Sequence, residues 1–467
     1  MEQQNLLQIK YDDEIKVCRT RKKFPCLLVH IRNVLVVLIL LLLIVVYRGI
    51  KIRDAEFEAM VPKNGWFYLM FKEKEQPALN LSVIRRLIDE YNRNETILNQ
   101  DIYGPIKKDT TILVIQVKTL TLYLKNLIMS MSDVHGIEDA LVVFSHSHYD
   151  ENLNEFVRSI DFCRILQIYF PYSLQANPDT FPGFEAGDCP YYIDIATARA
   201  QNCTGAYNPD LHGYYRHPST VEKKHHWWWT ANKVFENLTF SSKHEGMVVF
   251  LDDDLFLLQD FLYMVVYMKE SATPLSQYEF LSLGTLTGDI VFDESKAYRV
   301  AVTSWDPQYH TAAMAFDVTT WNKIVSHFDL FCNVDEFSWS RSLFYLSLNK
   351  KGNGDRFKVL SCDTPRAYKI KPQTLYERML QLTSLDTVYR LLQIKTKYED
   401  NLFPPTLEVY TDIELRSQEF NALFTFENSG GWGDLRDKLL CQNMTIAKIK
   451  QVVFDMERYI QEQNFLD

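Results

Sequence analysis

The sequence predicts an α/β protein built on a mainly parallel central sheet, and three observations predict it. Residues 111–117, 140–144 and 165–170 are short runs rich in β-branched and aromatic side chains, and the segments between them are long enough for helices, the pattern of βαβ units. A further apolar run, 247–251, ends abruptly in Asp252-Asp253-Asp254, which reads as a buried strand carrying carboxylates to its C-terminal edge, where open α/β sheets place ligands. Right-handed crossovers would line up the loops after Val117, Phe144 and Leu251 along that same edge. The competing reading of the acids is a turn that caps a helix starting near Leu258.

Taken in order, the chain begins with a basic segment holding Arg19, Arg21, Lys22, Lys23 and Arg32, followed by an unbroken apolar run over 34–46. Extended back to residue 27, the run reaches the length of a spanning helix, with Arg32 able to snorkel. The larger basic cluster precedes it, so the expectation is an uncleaved N-terminal signal-anchor helix: a cytosolic tail over 1–26, a transmembrane segment over 27–47 and everything later in the lumen. Glycosylation acceptors stand at Asn80, Asn94, Asn202, Asn237 and Asn443, all after the apolar run. Of eight cysteines, six would face an oxidising lumen, and none has a spacing that argues for zinc.

Residues 48–108 read as a stem containing an amphipathic helix over 82–98 with Val83, Leu87 and Tyr91 on one face. A single domain over 109–445 and a C-terminal helical tail over 446–467 complete the predicted layout. Within the domain, 122–131 and 151–160 are helix candidates. No GxGxxG follows the first strand, which speaks against a dinucleotide dehydrogenase. The stretch 171–218 holds six prolines together with Cys189 and Cys203, is too long for an ordinary loop, and has the spacing for a local disulfide. Next comes Lys223-Lys224-His225-His226-Trp227-Trp228-Trp229. Three consecutive Trp cannot share one helix face, and the cations before them are either an anion site or a solvated helix start. A formal net charge of -10 over 467 residues makes nucleic acid an unlikely partner class.

Carboxylates at a strand end, a nearby phosphate site and no P-loop suggest a divalent metal clamped between acid and diphosphate. Hard oxygen ligands suit Mg²⁺ or Mn²⁺, and a lumenal enzyme with that apparatus is most naturally a nucleotide-sugar glycosyltransferase. Leu166-Gln167, Phe170-Pro171-Tyr172-Ser173, Phe181-Pro182-Gly183, Asp188-Cys189-Pro190, the Lys224 to Trp229 segment, Phe250-Leu251 with the three acids, and Gly430-Gly431-Trp432-Gly433-Asp434 together resemble the N-acetylglucosaminyltransferase II family. The resemblance implies a GT-A-like fold in a single-pass type II Golgi membrane protein. It also implies an inverting, metal-dependent transfer of GlcNAc from UDP-GlcNAc, in β1,2 linkage, to the α1,6-arm mannose of an N-glycan acceptor.

By position it assigns the metal to Asp254 and the UDP-sugar to Gln116, Val117, Lys118, Thr119, Leu120, Ser147, Glu222, Lys223, Lys224, His225 and His226. Cys189 with Cys203, and Cys332 with Cys441, fall on family cysteine positions; Cys163 and Cys362 are left free or paired with each other. Departures from the family pattern are as informative. Leu120 and Ile290 stand where the family has Arg, Ser147 and Ser340 where it has Asp, and Lys369 where it has a metal-ligating His. The Asp replaced by Ser340 is the family's base, so the catalytic role passes to Glu336 or Asp335 as candidates. Two other classes fit these departures: a catalytically impaired paralogue acting as a glycan-binding or regulatory protein, and a transferase of changed donor preference. The oligomeric state is not legible in the sequence.

Overall fold

Among the described residues thirteen strands, β1 (Ile97–Leu98), β2 (Ile112–Val117), β3 (Leu141–His146), β4 (Arg164–Tyr169), β5 (Val248–Leu251), β6 (Leu255–Leu257), β7 (Phe280–Ser282), β8 (Gly284–Thr285), β9 (Arg299–Ser304), β10 (Met314–Phe316), β11 (Lys358–Cys362), β12 (Ala367–Lys369) and β13 (Glu408–Thr411), form two sheets. The structure is a computed structural model that describes residues 79–271, 278–286, 290–349, 356–371, 384–411 and 428–445. The large sheet runs β1-β4-β3-β2-β5-β10-β7-β11-β9-β13, and a small one runs β6-β12-β8.

β2, β3, β4 and β5 are mutually parallel, because each crossover between the first three carries a helix-forming segment. Thr121 caps the first of these helices, Leu122–Met131, by accepting from Leu124 N at 3.1 Å. Asp150 caps the second, Glu151–Arg158, through Asn152 N and Leu153 N. A polar side-chain oxygen at that position satisfies otherwise orphaned amides, typically worth about 1 kcal/mol. β10 then inserts antiparallel between β5 and β7, and β11 pairs antiparallel with β9, so the far half is mixed. This is the α/β, mainly parallel layout expected.

Alternate strand residues point to opposite faces. Ile112, Val114, Leu141, Val143, Leu166, Ile168, Val248 and Phe250 pack on one face against the helix Pro218–Asn232. Their neighbours Leu113, Ile115, Val142, Phe144, Val249 and Leu251 are buried too. A sheet covered on both faces reads as continuous apolar runs, which is why the periodicity of these strands looked unbroken.

The stem boundary needs correction. The helix Leu81–Asn94 buries Ile84 and Ile88 in a cluster with Tyr149, Tyr169 and Ala176, and β1 joins the edge of the large sheet beside β4. Residues 79–108 are therefore part of the folded domain, held by nonlocal pairing that helical periodicity cannot reveal. The anchor over 27–47 and the tail over 446–467 lie outside the described residues, among which no helix is long and apolar enough to cross a membrane.

Candidate active site

Because β3 and β4 lie on one side of β2 and β5 on the other, the chain reverses direction across the sheet at β2, and ligands of open α/β sheets bind outside strand ends at such a point. A cleft of about 200 Å³ sits there, lined by Gln116, Val117, Lys118, Ser147, Ser219, Glu222, Lys223, His226 and Asp253. The ends of β2, β3 and β5 thus converge as the crossover argument required. A larger cavity of about 560 Å³, bordered by Lys107, Thr110, His135, Tyr263 and Phe403, lies by the N-terminal ends of these strands, the edge from which such folds do not present ligands.

The helix Pro218–Asn232 starts with Pro in its first turn, a position that needs no amide hydrogen. Helical spacing then divides the residues expected at the UDP-sugar. Glu222, Lys223 and His226 share the cleft face, whereas Lys224 and His225 turn into the core. Glu222 accepts from Leu174 N at 2.8 Å, fixing the loop after β4, and burial raises its pKa against the pull of Lys118. His226 is buried with Nε2 2.8 Å from Ser145 Oγ, and burial lowers its pKa to about 3.

Lys224 donates to Glu336 O at 2.9 Å and lies 4.0 Å from the Trp432 ring centroid, with burial driving its pKa well below the usual value. His225 pairs with Asp437 at 2.9 Å. Thr119 and Leu120 stay outside the cleft, between β2 and the cap of the next helix. Ile290 packs in the cluster around Phe292 and Tyr398.

The three tryptophans are core. Trp227 stacks on Trp339, Trp228 on Phe331, and Trp229 packs against Phe170. The Gly-Gly-Trp-Gly-Asp segment is likewise architectural. Gly430 and Gly431 have φ of 71° and 77°, a region side chains disfavour, and Gly431 N donates to Asp210 at 2.8 Å. Trp432 donates its backbone amide to Asp335 Oδ1 and its indole N–H to Cys332 O. Asp437 receives Arg216 Nε at 2.7 Å.

Disulfides Cys189–Cys203 and Cys332–Cys441 are present, and Cys163 and Cys362 are free thiols. The first pins the proline-rich stretch. The second ties the helix Phe328–Asn333 to the one containing Cys441.

The base candidates sit in this clasp and do not line the cleft. Glu336 is fully buried, and its carboxylate accepts from Ser338 N at 2.9 Å, Ser429 N at 2.7 Å and Arg341 Nε at 3.0 Å. Asp335 accepts from Leu211 N at 2.6 Å and from Trp432 N at 2.8 Å. Ser340 Oγ is 3.1 Å from Ser338 Oγ.

At the opening acids the triad links two strands: β5 ends at Leu251 and β6 begins at Leu255, so the helix-cap reading fails. β12 pairs antiparallel with β6, putting Lys369 opposite Leu255, and Ile370 N donates to Asp254 O at 2.9 Å. Lys369 Nζ consequently lies 3.0 Å from Asp252 Oδ2 and 3.4 Å from Asp254 Oδ1. Burial would lower the Lys369 pKa, but the two carboxylates outweigh it and raise it. Burial raises Asp254, an effect Lys369 reduces without cancelling, and burial with its two acidic neighbours pushes Asp253 up to about 6.

The residues present do not fit the divalent ion that Asp254 was expected to hold. The cation beside Asp254 Oδ1 is already an ammonium, 3.4 Å away. No group of three or more His, Cys, Asp or Glu side chains with ligand geometry occurs among the described residues. A dication roughly 4 Å from an ammonium, at an effective dielectric of about 20, is repelled by ~8 kcal/mol, as much as a carboxylate at the same distance attracts it, so the ammonium cancels the gain from one of the acids.

The family pattern extends over most of the chain. A sequence model described as N-acetylglucosaminyltransferase II (MGAT2) matches residues 85–441. Similar proteins named alpha-1,6-mannosyl-glycoprotein 2-beta-N-acetylglucosaminyltransferase include that of Sus scrofa, 30% identical over 77% of this chain and 78% of its own. The Homo sapiens protein of that name is 30% identical over 77% and 78%, and the Arabidopsis thaliana one 27% identical over 73% and 76%. The chain belongs to the N-acetylglucosaminyltransferase II family.

Proposed function

We propose that the chain is a glycosyltransferase that moves GlcNAc from UDP-GlcNAc to O2 of the α1,6-arm mannose of an N-glycan, with inversion at the transferred carbon. The observation that carries this reading is the convergence of Gln116, Val117, Lys118, Ser147, Glu222, Lys223 and His226 on one cleft at the strand ends, in a chain whose family match spans nearly the whole folded domain. In the reaction the acceptor oxygen bonds to the anomeric carbon as its bond to the diphosphate breaks. The hydroxyl proton passes to a base and UDP leaves. Lys118 and Lys223 supply positive charge where negative charge builds on the leaving group.

Asp335 and Glu336 are the proposed bases, and either would have to release the backbone amides it holds before taking a proton. The donor half of the reaction is thus better furnished than the acceptor half. A divalent ion, Mn²⁺ or Mg²⁺, is the counter-charge that the family resemblance implies, and in this chain the lysines take that place.

A Golgi type II setting is part of the proposal. Support comes from the charge asymmetry around residues 27–47, from acceptor asparagines confined to the chain after it, and from two disulfides, which belong to an oxidising compartment. The test is UDP release by the full chain with a panel of UDP-sugars and a biantennary acceptor bearing GlcNAc on its α1,3 arm. Release that needs both UDP-GlcNAc and this acceptor is the expected result. Acceptor binding without release would instead establish a glycan-binding protein.

A further inference from the structure

The small sheet brings together groups far apart in the chain. β12 lies antiparallel to β6 with Lys369 across from Leu255, so its ammonium reaches both Asp252, at 3.0 Å, and Asp254, at 3.4 Å. Lys369 itself is largely shielded from solvent, with a side-chain exposure of 16%. Asp253, between the paired acids, faces the cleft that Lys118 and Lys223 also line, and Lys371 acts on both Asp253 and Asp254. The ammoniums of Lys118, Lys223, Lys369 and Lys371 thus share this region with the acids Asp252, Asp253, Asp254 and Glu222.

We infer that Lys369 is the resident cation of this site, standing where a divalent ion would otherwise bridge carboxylate and diphosphate, so that the cleft binds a nucleoside diphosphate without metal. An ammonium has three N–H donors and no acceptor. Asp252 and Asp254 hold the side chain in place, and an N–H not directed at them would meet a phosphate oxygen. Charge-assisted contacts of this kind are roughly twice as strong as neutral ones, and Lys118 and Lys223 add two more at the cleft wall. A lysine also removes the dependence on metal supply, because its charge is covalently fixed in the fold.

This inference rests on the cleft being the nucleotide site and makes no claim about transfer, so the test reads binding alone. Mn²⁺ uptake by the full chain is followed through the electron paramagnetic resonance signal of the free ion, and UDP binding through thermal stabilisation with EDTA or with Mn²⁺. The wild-type chain should leave the free Mn²⁺ signal intact, and UDP should stabilise it equally, within about 1 °C, in both buffers. Lys369→His should take up Mn²⁺ and bind UDP in a Mn²⁺-dependent way. Lys369→Ala should lose about tenfold or more in UDP affinity in EDTA, a change of at least ~1.4 kcal/mol.

Depletion of free Mn²⁺ by the wild-type chain, or UDP stabilisation that vanishes in EDTA and returns with Mn²⁺, would overturn the inference. So would unchanged UDP affinity in Lys369→Ala, or no UDP binding in either buffer. UDP binding without metal but no transfer would leave it standing and sink only the proposed activity.

Discussion

Buried histidine makes the stability of this fold depend on pH in a calculable way. His146, on β3, is fully buried and stacks on Tyr169 with ring centroids 4.4 Å apart. Burial, then the neighbouring His226, lower its pKa to about 3 against a smaller upward pull from Gln167. A histidine in the unfolded chain titrates near 6.5. Below that pH the unfolded state binds a proton the folded state refuses, so the stability contributed by the neutral ring is full above about pH 6.5 and lost as pH falls toward 3.

Between pH 7 and pH 5 the loss from one such histidine is about 2 kcal/mol. His146→Leu keeps the apolar volume and removes the titrating group at the cost of the ring stacking, about 0.5–1 kcal/mol. Denaturant unfolding at the two pH values gives the comparison directly. The variant should lose ~2 kcal/mol less than the wild-type chain on acidification. An identical loss in both proteins would refute the reasoning, because His146 would then be charged, or protected, equally in both states.

Other outcomes follow from the same geometry. Asp437→Asn takes from buried Arg216 the nearer of two carboxylates, leaving Asp188 at 4.0 Å, so it should destabilise by about 3 kcal/mol, and pairing it with Arg216→Met should recover part of the loss; melting of the single and double variants checks both. Replacing Cys189 and Cys203 by serine opens a bridge between residues 14 apart. That should cost about 3 kcal/mol and make the proline-rich stretch a site of early proteolysis, visible as the first cleavage in a limited digest. Lys223→Ala, at the cleft wall, should weaken UDP about tenfold and leave the melting temperature of the free protein unchanged, since it removes a charged contact to the ligand and nothing from the core.

Local patterning carried the parallel half of the sheet. The apolar runs predicted β2 to β5 to within a residue or two, and the helix predicted over 122–131 is found with those bounds. The convergence of Gln116, Ser147 and Asp253 followed from crossover handedness alone. What could not be read locally are the long-range pairings: Lys369 meets Asp254 only through β12 and β6, His225 meets Asp437 across 212 residues, and β1 joins the sheet through β4.

The motifs that made the resemblance specific proved to be architecture. Trp227, Trp228, Trp432 and Asp437 are buried in packing and clasps, so their presence identifies the fold more strongly than the chemistry. Lys224 and His225 misled for a related reason: polar side chains adjacent to cleft residues on a helix point the opposite way one and two positions later.

Transfer of GlcNAc to one particular hydroxyl is tested most directly by the structure of the product. The full chain is incubated with UDP-GlcNAc and a biantennary N-glycan bearing GlcNAc on its α1,3 arm, and the purified glycan is examined by mass spectrometry and NMR. The expected product carries one added N-acetylhexosamine, β-linked to O2 of the α1,6-arm mannose. An unmodified glycan, or a sugar attached at any other position, would contradict the proposed transfer.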